Sequence, residues 1–211
     1  RSDGLRKKIF ARAQGEAYDK AAVAQQLRAE VAEVVDRQIA CGLDSVNDGE
    51  IGKTNFTNYV RERLAGFETR TYKAGEGPKP LSIASRDVKR FPEYFASGGR
   101  GFGAFAGSGP SKSQVFCVEP LRYVGQESLK EDLDNFRAAL KGKNVAEAFL
   151  PANTPGTIEH WLRNEHYPSE EAFVYAIADV MREEYRAIVD AGFMLQIDDP
   201  DLPDGWQMYP E

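Results

Sequence analysis

Twice in this chain a helix-length stretch of apolar periodicity closes on a glycine, a short apolar run follows, and an acid ends it. Arg37 and Ile39 lead to Gly42 and then Asp48; Arg186 and Ile188 lead to Gly192 and then Asp198, with the same interval from glycine to acid. A glycine just past a helix suits the left-handed residue that stops it. A short apolar strand following a helix belongs in a parallel sheet covered by helices. In such folds ligands bind at the carboxyl ends of the strands. Both acidic clusters, Asp48-Gly49-Glu50 and Asp198-Asp199-Pro200, are therefore expected at the binding end. One acid there would be read as a cap for the next element; two at equivalent strand ends favour function.

The rest of the chain fits the same alternation. Asp19 can cap a long helix whose stripe is Val23, Leu27, Val31, Val35 and Ile39. Residues 43–46 predict a strand and residues 55–64 a second helical stretch. Residues 66–113 form a Gly/Pro-rich excursion carrying Pro78, Pro80, Pro92 and Pro110, with room for a hairpin, on the binding face or at an interface. Residues 114–118 predict a strand. Ser128 and Glu131 read as a capping box before Leu129, Leu133, Phe136 and Leu140. Residues 145–150 predict another strand. Residues 169–191 predict a long helix with Phe173, Ile177, Val180 and Ile188 inward, and residues 193–197 an apolar strand.

Length and charge bound the function. With 211 residues the chain reads as a single domain over residues 1–211. A net charge of −6 disfavours nucleic acid and anionic membranes as partners, and no apolar run reaches a membrane span. Cys41 and Cys117 are the only cysteines, which points to a reducing, cytoplasmic setting rather than a disulfide scaffold. A homo-oligomer is compatible with all of this. The chain opens at Arg1 without methionine and stops at Glu211 after a strand-like run, so it reads as part of a longer protein.

Several motifs are set aside. The run from Gly98 to Gly103 lacks the spacing of a dinucleotide fingerprint, and Ser111-Lys112-Ser113 lacks the glycine of a phosphate loop. His160 and His166 lack zinc-ligand spacing and read as loop or surface residues. Asp199, Asp201 and Asp204 read as solvated loop acids. Glu50, behind the permissive Gly49, and Asp198, at the end of an apolar strand, suit a substrate ammonium group or proton transfer. Trp161, after a Pro155-Gly156-Thr157 turn, is either a stacking platform for a flat ring or a core plug.

These residues resemble a family. Leu195-Gln196-Ile197-Asp198-Asp199-Pro200 is similar to the IQIDEP strand end of cobalamin-independent methionine synthase, and Asp48-Gly49-Glu50 to its HGE motif. The stretch from Pro155 to Trp161 follows its P-x-T-I-x-x-W pattern, and Phe116-Cys117-Val118-Glu119-Pro120 resembles its R-C-V-x-P strand. The motifs occur in family order and cover most of the chain after Asp19, with short single-domain homologues as the nearest pattern.

The resemblance implies a TIM-type, eight-stranded (β/α) barrel, here incomplete at both ends. It implies that Glu50 and Asp198 hold the homocysteine amino group, that Trp161 lies against the folate ring, and that Cys117 and Phe116 border the folate site. It implies a zinc ion that deprotonates the homocysteine thiol, which then takes the methyl group of 5-methyltetrahydrofolate. The family's zinc ligands lie after the strand that ends at Asp198, so they are expected beyond Glu211, with no metal site completed by residues 1–211. The family's His and Arg are replaced here by Asp48 and Phe116. The resulting expectation is a methionine-synthase-like methyltransferase acting on an amino-acid thiol and a folate donor. Alternatives are a zinc-dependent alkyl transfer to another thiol such as coenzyme M, a barrel hydrolase using Glu50 and Asp198 as acid and base, and a noncatalytic binding module.

Overall fold

The structure, a computed structural model, describes residues 1–55, 58–72, 85–96 and 113–202. The chain divides into two compact units.

The first unit comprises Arg1–Ala65, Leu121–Asn153 and Ala178–Asp198. It opens on α1 (Asp3–Ala13), a helix the sequence reading did not anticipate, capped by Ser2 Oγ accepting from the N–H of Leu5 at 3.2 Å. In α2 (Lys20–Ala40) the expected cap is present: Asp19 Oδ1 accepts from the N–H of Ala22 at 3.0 Å. Val23, Leu27, Val31 and Val35 are buried along one stripe, and Ile39 is only half-buried where the helix ends. Gly42 then adopts φ +83°, the left-handed conformation that stops the helix, and Gly192 does the same at +86°.

Three strands make the sheet of this unit, in the order β1 (Ser45–Val46), β4 (Glu147–Asn153), β6 (Met194–Asp198). All pairs are parallel. Ser45 and Val46 stand opposite Glu147 and Ala148, and the β4–β6 register runs from Phe149 opposite Met194 to Asn153 opposite Asp198. Strand β4 begins and ends later than its apolar run because pairing with β6 carries it through the polar Asn153. Among the described residues β6 is an outer strand of this sheet, and its Met194 and Ile197 are 46% and 53% exposed.

Helix α6 (Gln126–Leu140) packs on α2 and buries Leu129, Leu133, Phe136 and Ala139. Phe136 meets Phe193 with ring centroids 4.9 Å apart. The expected capping box is not formed. Gly125 is the N-cap, no side chain caps the helix, and Ser128 Oγ instead donates to Gly125 O at 3.0 Å. The buried Gly125 starts the helix before the serine is reached. The short α3 (Asn58–Arg63) starts later than the reading of residues 55–64.

The second unit comprises Gly66–Pro120, Thr154–Ile177 and Asp199–Glu211. Strands β2 (Leu64–Thr71) and β3 (Ser113–Tyr123) and helix α8 (Glu170–Asp190) contribute residues to both units. The second sheet has the order β2-β3-β5, with β5 (Arg163–Asn164) parallel to β3 and placing Phe116 opposite Arg163 and Cys117 opposite Asn164. The excursion from residue 66 is more regular than expected, since β2 runs through Thr71 and short helices α4 (Ser85–Arg90) and α5 (Pro92–Ala96) follow. Residues 97–112, with the glycine run and Ser111-Lys112, lie outside the described residues. Helix α7 (Pro155–His160) has Pro155 at its first position and Thr154 Oγ1 accepting from the N–H of Thr157 at 3.1 Å.

The architecture is mixed α/β. Among the described residues the strands form two three-stranded sheets without closing into a barrel. No described helix is long and apolar enough to cross a membrane.

Candidate functional site

Beyond Val46 the chain turns through two side-chain bonds to its own backbone. Asn47 Oδ1 accepts from Gly49 N–H at 2.8 Å, and Asp48 Oδ1 accepts from Glu50 N–H at 2.9 Å. Gly49 has φ +65° and Glu50 φ +50°. Glu50 is the one non-glycine at positive φ among the described residues. A side chain in that region costs roughly 1–2 kcal/mol, and such strain persists only where the surroundings fix it. Lys53 supplies part of that fixing. Its N–H donates to Glu50 O at 3.2 Å, and its ammonium stands 3.0 Å from Glu50 Oε2 and donates to Pro151 O at 2.6 Å. The same ammonium lies 4.4 Å from the Tyr59 ring centroid.

Beneath this turn lies a buried charge network. Asp48 is 2% exposed. Burial pushes its carboxyl up to about 6; Asp132 adds to the shift, while Lys53 and the N–H of Glu50 oppose it. Asp132 pairs with Arg63, Arg63 Nη1 lies 3.1 Å from Glu184 Oε2, and Tyr123 donates to Glu184 at 2.8 Å. Asp48 therefore also serves as a local cap: it holds Glu50's amide.

The end of β4 is fixed as firmly. Tyr59 Oη accepts from the Asn153 N–H at 3.0 Å, and the Tyr185 hydroxyl donates to Asn153 O. Asp198, opposite Asn153, accepts from Gln196 Nε2 at 2.6 Å and is half-buried. Because β1, β4 and β6 are parallel, Glu50 and Asp198 stand at the same end of one sheet, the carboxyl end, with Asn153 on the strand between them. Lys53, Asn153, Tyr59 and Tyr185 were not singled out by sequence reasoning. Lys53 had a signal, a cation three residues past an acid in a turn; the tyrosines had none, since their bonds are to backbone far away in sequence.

The remaining candidates belong to the second unit. Trp161 follows α7, is half-buried, meets His160 edge-on at 5.4 Å between centroids, and donates Nε1–H to Asp201 at 3.3 Å. His160 is buried, not a surface residue, because α7 turns it inward. Asp201 is buried and engaged with Trp161, and Asp199 accepts from Thr157 Oγ1 at 3.2 Å, so neither is a merely solvated acid; Asp204 lies outside the described residues. His166 is exposed, as read. Cys117 and Phe116 are both buried on β3. Burial pushes the Cys117 thiol up, away from a reactive thiolate. The Phe116 ring is covered by the Arg70 guanidinium at 4.3 Å.

Among the described residues no group of three or more His, Cys, Asp or Glu could hold a metal. Cys41 is exposed at the end of α2 and Cys117 is buried in β3. The described residues therefore do not fit a zinc site.

A parallel sheet with two acids at its carboxyl end defines the α/β class in which ligands sit at strand ends, and comparison with known proteins narrows the class. No family model matches the chain. It is similar to the methionine synthase of Pyrococcus furiosus, 29% identical over 160 residues, which cover 75% of this chain and 37% of the relative. It is also similar to that of Sulfurisphaera tokodaii, 24% identical over 166 residues, covering 78% of this chain and 38% of the relative. The matched part thus spans well under half the length of these relatives. Two solved structures share the fold. A B12-independent methionine synthase from Shewanella sp. W3-18-1 in complex with selenomethionine has a TM-score of 0.57 at 18% identity, covering 87% of this chain and 44% of that one. A putative vitamin-B12-independent methionine synthase from Listeria monocytogenes has a TM-score of 0.58 at 19% identity, covering 94% and 48%. The chain resembles the cobalamin-independent methionine synthase family in sequence and in fold.

Proposed function

We propose that this chain forms part of a methionine-synthase-like methyltransferase of an incomplete (β/α) barrel type, and that Glu50 and Asp198 anchor the ammonium group of an amino-acid thiol such as homocysteine. The observation that carries the reading is the pair of carboxylates at one end of one parallel sheet. Carboxylates accept charge-assisted hydrogen bonds, and an ammonium group has three to donate. Trp161 is proposed as a platform for the folate donor, and Phe116 and Cys117, both buried on β3, as residues of the folate wall. The metal in this reading is zinc; its chemistry is to lower the pKa of a bound thiol, and its ligands are not drawn from the described residues. Coenzyme M is the weaker acceptor, because its sulfonate would meet two carboxylates where homocysteine presents a cation.

The test is isothermal titration of L-homocysteine against the zinc-loaded full-length protein, with turnover followed in parallel. Glu50→Gln and Asp198→Asn each remove a charge-assisted bond of about 1.5–3 kcal/mol, so affinity should fall roughly tenfold to a hundredfold with zinc content unchanged. A hydrolytic acid/base pair gives the opposite split, lost turnover with affinity kept. Unchanged homocysteine affinity in both variants removes the amine-anchor assignment.

A further inference from the structure

The turn that carries Glu50 is held more tightly than a surface turn requires. Its backbone is left-handed at two successive residues, Gly49 and Glu50. Three neighbours fix it: Asn47 through Gly49 N–H, Asp48 through Glu50 N–H, and Lys53 through Glu50 O. Of these, Lys53 alone also reaches the Glu50 carboxylate.

The Lys53 side chain is 6% exposed, against 37% for Glu50. A buried ammonium must be compensated on every side. This one has the Pro151 carbonyl at 2.6 Å, Glu50 Oε2 at 3.0 Å and the Tyr59 ring face at 4.4 Å. Pro151 lies on β4, two residues before Asn153, and Tyr59 receives the Asn153 N–H. One buried cation therefore ties the Glu50 carboxylate to the same strand end that stands opposite Asp198.

We propose that Lys53 is the positioning residue for Glu50: it grips one carboxylate oxygen from the protein side and fixes the direction in which Glu50 meets a ligand cation. This rests on the amine-anchor reading and adds the residue through which that anchor is aimed. With Lys53 in place Glu50 loses little freedom on binding, so its hydrogen bond to the ligand is not offset by ordering a long side chain. Without it, Glu50 keeps its charge but not its aim.

The experiment measures the preference of the full-length protein for L-methionine over γ-(methylsulfanyl)butanoate, the same molecule without its amino group. Affinities are read by titration for wild type, Lys53→Met, Glu50→Gln and the double variant. Wild type should prefer methionine at least tenfold. Lys53→Met should lose most of that preference while its affinity for the butanoate stays within about twofold. The double variant should be no worse than Glu50→Gln alone, since Lys53 acts through Glu50. Lys53→Gln repeats the test with the Pro151 hydrogen bond retained, should the methionine variant fold poorly. A methionine preference intact in both Lys53 variants overturns the assignment of Lys53 and leaves the anchor standing. Additive losses in the double variant also overturn it. No preference in wild type overturns the anchor itself, and Lys53's role with it.

Discussion

Asp48 carries a charge in a place that resists it. The residue is buried, and its strongest electrostatic adversary, Asp132, is half-buried beside Arg63. Asp48 binds its proton more tightly folded than unfolded, so its contribution to stability is greatest below the ordinary carboxylate range. Stability is lost as pH rises from about 4, the unfolded value, through about 6, the folded one. Asp48→Asn keeps an oxygen for the Glu50 N–H and removes the charge. Its melting temperature above pH 7 should exceed wild type by a few degrees, as about 1 kcal/mol gives in a domain of this size. The fall in stability between pH 4 and 6 should flatten, as thermal scans across that range will register; an unaltered slope would place the titration elsewhere. At this scale the sequence was legible for charge but not for depth. Glu50 and Asp198 stood out as acids at strand ends, whereas nothing in the sequence marked His160 and Asp201 as buried, because their burial is decided by neighbours brought in from elsewhere.

Among the described elements, the start of α6 is tightly constrained. A Cβ on Gly125 would lie 2.7 Å from both Cβ and Cγ of Arg63 and 2.9 Å from Tyr123 Oη. Arg63 is held by Asp132 and Glu184 and Tyr123 by Glu184, so neither can give way. Gly125→Ala should lose roughly 1–3 kcal/mol by overpacking, while Gly4→Ala in α1, whose nearest neighbour would be 3.9 Å away, should be neutral or stabilising. Urea unfolding of the two variants side by side checks this, and equal stability would refute the wedge at Gly125. The same site explains why the capping box misled. Ser128 and Glu131 have the right spacing, but the helix is started by how closely Gly125 fits, a tertiary fact. Helix and strand identity was legible from periodicity in α2, α8 and β6. Strand ends were less so, since pairing with β6 carried β4 on to Asn153 beyond its apolar run.

Across the molecule, the parallel β1-β4-β6 sheet is what the repeated helix–glycine–strand–acid unit foretold. The regularity of β2 inside the glycine- and proline-rich stretch is what it did not, because that strand finds its pairing partner, β3, more than forty residues later. Strand β6 has a further consequence, one of colloidal behaviour. Among the described residues it is an outer strand, with Met194 and Ile197 about half open to water, and such edges template pairing with other chains. A concentrated sample of this chain should therefore gain average mass by light scattering as concentration rises. Ile197→Lys, a charge on that edge, should hold the mass constant. If wild type scatters as a single species throughout, β6 is not a sticky edge; if it does not, the strand that ends in Asp198 is also the place where purification, storage and crystallisation of this chain are decided.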